Sequence, residues 1–125
     1  ALPIFLKRIE MTDNGMFDEI HVTHETGHWL EDIDASVHTQ AVDFLRKRAG
    51  NATPTSSLGH NGATGWWGMF PTDDYMGRIY GDVSDITATE VISGGLEGIC
   101  RDPITLYDKD RELFDFLFDL LRGNT

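Results

Sequence analysis

The residues with the clearest chemical meaning are His24, Glu25 and His28, which form the pattern His-Glu-x-x-His. This spacing is typical of zinc-dependent hydrolases. On a helix, residues four apart lie on one face, so the imidazoles of His24 and His28 can bind the same metal ion. Glu25 is turned by about 100° from His24 and can act as general base on a water at that metal. The pattern therefore predicts a Zn²⁺ site with hydrolytic chemistry.

This chemistry requires a helix, which we predict from Met16 to Glu31. On that helix a largely apolar cluster lies opposite the two histidines and is expected to pack into the core. Its members are Val22, Thr26, Trp29 and Leu30. Gly27 lowers the helix propensity by about 1 kcal/mol relative to alanine, so a compensating role is expected. We predict that Gly27 lets another element approach closely beside the metal.

A catalytic zinc ion usually has three protein ligands, so a further ligand has to be found. The extended pattern His-Glu-x-x-His-x-x-Gly-x-x-His is not met, because Glu31 and Asp34 occupy its glycine and last histidine positions. Asp34 remains a candidate, although no glycine is present to turn the chain sharply after the helix. His38, Glu90 and Glu97 are the other candidates.

The order of predicted elements indicates an α+β domain. We expect a strand over residues 2–11, followed by a turn at 12–15 that contains Asn-Gly. A second helix is predicted from Asp34 to Ala49, with Asp34 as its N-cap and Gly50 as its stop. Segment 51–72 is rich in glycine and contains two tryptophans. It is predicted to be a long loop that packs down beside the cleft.

The C-terminal half is predicted to be mostly helical. A short strand or an extended connector is expected around residues 78–80, and a third helix from Thr87 to Arg101. A last helix begins at Asp108 or Asp110 and continues through Leu121. Thr87 and Glu90 have the spacing of a capping box, which is an alternative role for Glu90.

The composition describes an acidic globular domain. The chain has 125 residues, a formal net charge of −11 and 40% hydrophobic residues. Nucleic-acid binding is not expected because like charge repels phosphate, and no apolar run has the length of a membrane span. Cys100 is the single cysteine, so a disulfide framework and a cysteine-based zinc site are not expected. We expect Cys100 to be a small buried residue on a helix.

Residues 1–125 are expected to form one domain. No signal peptide is visible, and the sequence begins with Ala1 rather than methionine. We therefore expect a domain that was excised or processed from a longer protein. Location in the cytoplasm would agree with this sequence.

Segment 89–93 resembles the Asn-Glu-x-x-Ser-Asp pattern that gluzincins, typified by thermolysin, carry on a second helix. The resemblance implies that Glu90 is the third zinc ligand. Thr89 replaces the asparagine of that pattern. Gly94 replaces the aspartate that would orient a ligand histidine, so the orienting residue is not identified. Glu97 lies on nearly the same helical face as Glu90 and remains an alternative ligand.

A wider resemblance covers about residues 16–122. It is carried by His24–Glu31, Asp74–Tyr80, Thr89–Glu97, and Arg101–Pro103 together with Asp110–Leu121. These stretches look like the zincin domains of phage minor-head and other structural proteins. The resemblance implies a zincin-like α+β fold with a small N-terminal sheet element, a motif helix, a second ligand-bearing helix and a mostly helical C-terminal part. It also implies association with a virion and its other proteins.

Two functions remain open at this point. The first is a zinc metallopeptidase that hydrolyses a peptide or protein substrate with Glu25 as general base. The second is a non-catalytic domain of a phage structural protein in which a metal ion stabilises the fold. Glu25 favours the first function, because a purely structural site has no use for it.

A peptidase also needs a donor for the developing oxyanion. Tyr75, Tyr80 and His60 precede the third helix, and we take Tyr80 as the catalytic donor. Acidic residues in the same region would favour basic or neutral peptides. They are Asp73, Asp74, Asp82 and Asp85.

Overall fold

The structure, a computed structural model, describes residues 19–123. This part of the chain contains five helices and two small antiparallel sheets, so the predicted, mostly helical α+β class is confirmed. The helices are α1 (Glu19–Ile33), α2 (Ala35–Ala49), α3 (Val91–Arg101), α4 (Pro103–Lys109) and α5 (Arg111–Leu121). The strands are β1 (Thr55–Ser57), β2 (Ala63–Gly65), β3 (Ile79–Asp82) and β4 (Asp85–Thr89). The strand predicted over residues 2–11 lies outside the described residues.

Helices α1 and α3 are in contact at the backbone. An ideal Cβ on Gly27 would lie 2.4 Å from Cα of Ser93 and 2.9 Å from the carbonyl carbon of Ile92. Only a residue without a side chain fits there, so the close approach predicted at Gly27 is confirmed. The contact places the first turn of α3 beside the histidines of α1.

The core lies between α2, α3, α5 and the aromatic residues of the long connection. Its largest buried apolar members include Leu45, Trp66, Phe70, Met76, Ile79, Val91, Ile92, Leu96, Leu106, Leu113 and Leu117. From α1, Leu30 packs against this core while staying partly exposed. None of the described helices combines the length and the apolar character needed to cross a membrane.

Helix α2 has the bounds and caps that the sequence predicts. The Asp34 side chain accepts hydrogen bonds from two backbone N–H groups of the first turn, and Gly50 ends the helix at a φ of 60°. In the last turn, Arg48 pairs with Asp110 through two N–H···O contacts of 2.7 and 2.8 Å. Because Asp110 is the N-cap of α5, this ion pair joins the ends of two helices.

Segment 51–72 is more regular than predicted. Strands β1 and β2 pair as an antiparallel hairpin, and Asn61 and Gly62 adopt positive φ angles at its turn. The indole of Trp66 is buried and donates a hydrogen bond of 2.8 Å to the carbonyl of Ala52. Phe70 is also buried. The aromatic residues therefore hold the segment against the core, as expected.

Helix α3 begins later than predicted. Residues 85–89 form β4, which pairs with β3 so that Thr89 lies opposite Ile79. Ile86, Thr87 and Thr89 are β-branched and favour a strand. The proposed capping box of Thr87 and Glu90 is therefore wrong, because Thr87 belongs to the strand and the helix starts at Val91.

The C-terminal part departs from the prediction in two places. Helix α4 was not predicted, although the Asp102-Pro103 pair is a signal for a helix start. The Asp102 side chain accepts a hydrogen bond of 3.1 Å from the N–H of Thr105, which caps α4. Cys100 is exposed rather than buried, because the last turn of α3 extends beyond the core.

Replacing Gly27 by alanine is expected to lower the free energy of unfolding by about 1–3 kcal/mol or more, because the new Cβ collides with backbone that cannot rotate away. Gly98→Ala in α3 is the matched control. Its Cβ would meet Leu106 at 3.7 Å, which is an ordinary contact. The higher helix propensity of alanine should then add about 0.5–1 kcal/mol. Urea denaturation measures both changes, and equal effects would contradict the role assigned to Gly27.

Candidate metal centre

Three side chains from α1 and the start of α3 direct polar atoms at one another. Nε2 of His28 lies 3.2 Å from Nε2 of His24 and 3.0 Å from Oε1 of Glu90. Nε2 of His24 lies 3.3 Å from the same oxygen. Ligand atoms of a tetrahedral ion with bonds of about 2.0–2.1 Å are separated by about 3.3–3.4 Å. The triangle therefore has the size of a metal site, and these residues can hold an ion.

Local structure explains this convergence. His24 and His28 are one turn apart on α1, with ring centroids 4.8 Å apart and ring planes at 71°. Glu90 lies between the end of β4 and the first residue of α3, and only 3% of it is exposed. The Gly27–Ser93 contact brings that junction against α1. The hydroxyl of Ser93 then donates a hydrogen bond of 2.7 Å to Oε1 of Glu90.

The Glu90 carboxylate is stabilised in its ionised form. Burial alone would raise the pKa of Glu90, but hydrogen bonds from His24, His28, Tyr80 and Ser93 hold that pKa well below its usual range. The hydrogen bond with Glu90 in turn raises the pKa of His24, although partial burial opposes the shift. The site therefore presents a fixed negative charge that attracts a proton or a metal cation.

Glu97 supplies the carboxylate beside His24 that the resemblance to gluzincins left unidentified. Its Oε1 lies 2.9 Å from Nδ1 of His24. When His24 is neutral, a carboxylate at this position keeps the hydrogen on Nδ1 and leaves the lone pair of Nε2 for a metal ion. The family pattern places the orienting residue at Gly94, whereas here it comes from one helical turn further along α3. Glu97 acts on His24 and is not one of the three converging groups.

Tyr80 contacts the metal centre through Glu90. Its hydroxyl lies 2.5 Å from Oε2 of Glu90 and donates a hydrogen bond to it. Burial, and next the hydrogen bond to Glu90, raise the pKa of Tyr80 above its usual range. The phenol therefore stays protonated beside the site. Its hydrogen points at Glu90, so donation to an oxyanion would require the O–H to rotate.

The other residues considered from the sequence lie elsewhere. Asp34 caps α2 through contacts of 2.9 and 3.4 Å to backbone N–H groups. His38 is 2.6 Å from Glu31, and neither Asp34 nor His38 joins the converging group. His60 stacks on Trp67 in the hairpin region, with ring centroids 3.9 Å apart. Glu25 follows His24 on α1 and is partly exposed.

A cavity of about 440 Å³ adjoins the metal centre, with Glu97 in its wall. Its apolar lining includes Met76, Gly94, Gly98 and Leu106. Asp73 also lines it, and burial, followed by the charges of Glu97 and Glu90, raises the pKa of Asp73. Asp82 and Asp85 are instead exposed at the end of the β3–β4 hairpin. Part of the predicted acidic rim therefore faces this cavity, and part lies away from it.

Glu31 holds the strand that leads to Glu90. This carboxylate is 6% exposed and accepts hydrogen bonds from the N–H and the hydroxyl of Thr89 at 2.9 and 2.8 Å. His38 lies 2.6 Å from the same carboxylate, and its other ring nitrogen is 3.0 Å from the carbonyl oxygen of Ile86. Glu31 thus connects α1, which carries both histidines, to the residue before Glu90.

Sequence reasoning missed this role of Glu31, noting it only as the residue that interrupts the extended zinc pattern. Thr89, which donates to Glu31, is 58 positions away in the sequence, so no local sequence pattern predicts the contact. The sequence feature that could have indicated this role is a glutamate at a buried position of α1, since a buried carboxylate needs several hydrogen-bond donors. That signal appears only when the neighbouring element is known.

Comparison with protein-family models, with curated protein sequences and with solved structures finds no match for this chain. The resemblance to gluzincins and to phage zincin domains therefore stays a prediction.

Glu31→Gln is expected to lower the free energy of unfolding by about 1–3 kcal/mol, because the amide replaces a charged acceptor with one that must also bury two donors. Glu112→Gln is the control: Glu112 accepts two hydrogen bonds from Arg48, but its side chain is 67% exposed. Loss of such a surface pair changes stability by about 0–1 kcal/mol. Urea titration compares the two variants, and a Glu31→Gln protein as stable as Glu112→Gln would contradict the assigned role.

Proposed function

We propose that this protein is a zinc-dependent metallopeptidase whose ion is held by His24, His28 and Glu90. The observation that carries the proposal is the convergence of two imidazole nitrogens and one carboxylate oxygen at separations of 3.0–3.3 Å. When Nδ1 of neutral His24 donates its hydrogen bond to Glu97, Nε2 of the same ring has a free lone pair. A zinc ion would bind the three converging donor atoms at once.

The donor set also favours zinc. Two histidines and one glutamate are a ligand set of catalytic zinc sites, which keep a fourth position open for water or substrate. Purely structural zinc sites are usually closed by four protein ligands, often cysteines. The described residues bring together one group of this kind, and it contains no cysteine. This difference supports a catalytic site.

The chain's own residues have distinct tasks in the proposed reaction. Bound zinc would polarise the peptide carbonyl and acidify a water molecule. Glu25 accepts the proton of the attacking water and returns it to the leaving nitrogen. Glu97 holds the imidazole of His24 in the required tautomer. Tyr80, once its O–H turns away from Glu90, donates a hydrogen bond to the developing oxyanion.

We further propose that the domain belongs to the gluzincin class of zincins. Helix α1 would be the motif helix, and Glu90 at the start of α3 would be the third ligand. The sequence resemblance supports association with a phage virion, where the partners would be a peptide or protein substrate and other virion proteins. The formal net charge of −11 and the position of Asp73 favour basic or neutral substrate residues in the cavity beside Glu97.

A second function is favoured by one observation. Both oxygens of Glu90 already have hydrogen-bond partners within the fold, Ser93 and Tyr80, so the site is built before any substrate arrives. A metal ion there would join α1 to the start of α3 and add binding energy to folding. The alternative is therefore a non-catalytic, metal-stabilised domain of a virion protein.

Purified protein is expected to contain one zinc ion per chain, measured by mass spectrometry of the metal after dialysis. His24→Ala and Glu90→Ala should lose the ion because each removes a ligand. Glu25→Gln should keep it and lower peptide hydrolysis about 10²–10⁴-fold, since it removes only the base. Absence of zinc under zinc-replete conditions would overturn the peptidase proposal. Stoichiometric zinc without hydrolysis of a peptide library would favour the structural alternative.

Glu97→Gln is expected to weaken zinc binding about 10- to 100-fold, because the amide orients the imidazole of His24 less strongly. Arg101→Gln is the matched control, since Arg101 contacts the other oxygen of Glu97 at 3.1 Å and lies outside the ligand group. Competition with a chromogenic chelator measures both affinities. Equal affinities of Glu97→Gln and wild type would show that Glu97 does not orient His24.

A further inference from the structure

Arg78 is a charged residue to which the proposed reaction gives no task. Its guanidinium donates a hydrogen bond to the Tyr75 hydroxyl and lies 4.2 Å from the centre of the Tyr80 ring. Among the described residues it has no carboxylate partner, and its Nε has no hydrogen-bond partner. A guanidinium has five N–H donors, so most of its hydrogen-bonding capacity is unused.

A shortage of carboxylates does not explain this. The chain has 21 acidic residues and 10 lysines and arginines. Four other arginines each pair with a carboxylate; they are Arg48, Arg101, Arg111 and Arg122. Polar groups in partly buried positions normally find partners. Nε of Arg78 is buried, whereas Nη2 is not among the buried atoms and has no partner within residues 19–123, so a ligand can provide the acceptor at the Nη end of the guanidinium.

Arg78 and Tyr75 border a cavity of about 410 Å³, which we name the Arg78 cavity. The turn of the β1–β2 hairpin, residues 59–63, forms the rest of its wall. Within this turn, His60 is stacked on Trp67 at a ring separation of 3.9 Å and lies 6.5 Å from the ring of Tyr75. The cavity therefore combines flat aromatic faces with a guanidinium.

These features suit a carboxylate. The planar fork of a guanidinium matches the two oxygens of a carboxylate, and aromatic faces accommodate the adjoining planar or apolar part of a ligand. A polyanion is disfavoured, because the formal net charge of the chain is −11 and Asp74 lies 3.3 Å from His60 at the same region. A single carboxylate experiences less of this repulsion.

Tyr80 connects the Arg78 cavity to the metal centre. Its ring packs beneath the guanidinium of Arg78, and its hydroxyl bonds to Oε2 of Glu90 at 2.5 Å. One tyrosine side chain thus separates the two sites, a span that a few residues of extended peptide cover.

We propose that the Arg78 cavity binds a carboxylate of a peptide, supplied either by its C-terminus or by an aspartate or glutamate side chain. The peptide's status as substrate rests on the proposed peptidase function, whereas carboxylate binding does not. The substrate would then be placed by its negative charge at Arg78 while its scissile bond lies at the metal centre.

The test is a titration of the metal-free wild-type protein followed by ¹H–¹⁵N NMR. N-acetyl-phenylalanine and its amide differ only in a C-terminal carboxylate. N-acetyl-aspartate amide and N-acetyl-asparagine amide, both blocked at the C-terminus, differ only in a side-chain carboxylate. We expect at least one acid to shift the signals of residues 59–63 and of Nε–H of Arg78, while its neutral counterpart does not. The responding pair identifies the source of the carboxylate.

Arg78→Gln should weaken the binding of the acid about tenfold or more, since a charge-assisted pair is lost. Arg78→Lys keeps the charge without the planar fork and should give an intermediate loss. Arg46→Gln is the matched control, because Arg46 donates to the carbonyl of Val83 on the exposed surface and should not change the affinity.

Several results would overturn the proposal. They are equal shifts with acids and amides, acid binding that survives Arg78→Gln, and tighter binding of inorganic phosphate than of either acid. Wild-type protein alone decides the first and the last, so a poorly folding variant does not block the test. Absence of zinc or of hydrolysis would leave these binding results intact, which separates failure of the peptidase proposal from failure of this one.

Discussion

The backbone contact between α1 and α3 is the constraint on which the candidate site depends. At Gly27 the two helices are so close that a single added Cβ would lie 2.4 Å from Cα of Ser93. The contact lies three residues after His24, directly before His28 and, on the other side, three residues after Glu90, so it sets the distance between the two sources of ligands. Residues of ordinary size would hold the helix axes about 8–10 Å apart with side chains between them.

A second requirement follows from burying charge beside this contact. Glu31 and Glu90 are 6% and 3% exposed, and an isolated carboxylate is costly in such a place. Each is surrounded by donors that come from other elements: Thr89 and His38 for Glu31, and Tyr80 and Ser93 for Glu90. The same hydrogen bonds that make burial tolerable also fix the junction between β4 and α3, so stability and site geometry share their contacts.

The sequence predicts those features that depend on neighbouring residues. The bounds and caps of α2 and the close approach at Gly27 follow from propensity and capping. The start of α3 was misplaced because Thr87 and Glu90 fit a capping box locally, while pairing of β4 with β3 decides otherwise. The roles of Glu97 and Glu31 could not be read from the sequence, since their partners are 73 and 58 positions away.

The contacts within the candidate site allow two ways of satisfying its polar atoms. Nε2 of His24, Nε2 of His28 and Oε1 of Glu90 lie 3.0–3.3 Å from one another. A hydrogen on Nε2 of His28 can be donated to Glu90 or to Nε2 of His24, whereas a divalent cation would bind all three atoms at once. Protons and metal therefore compete for the same lone pairs, and Glu97 favours the metal by committing the Nδ1 hydrogen of His24 elsewhere. The three atoms can thus hold a cation as well as share a hydrogen.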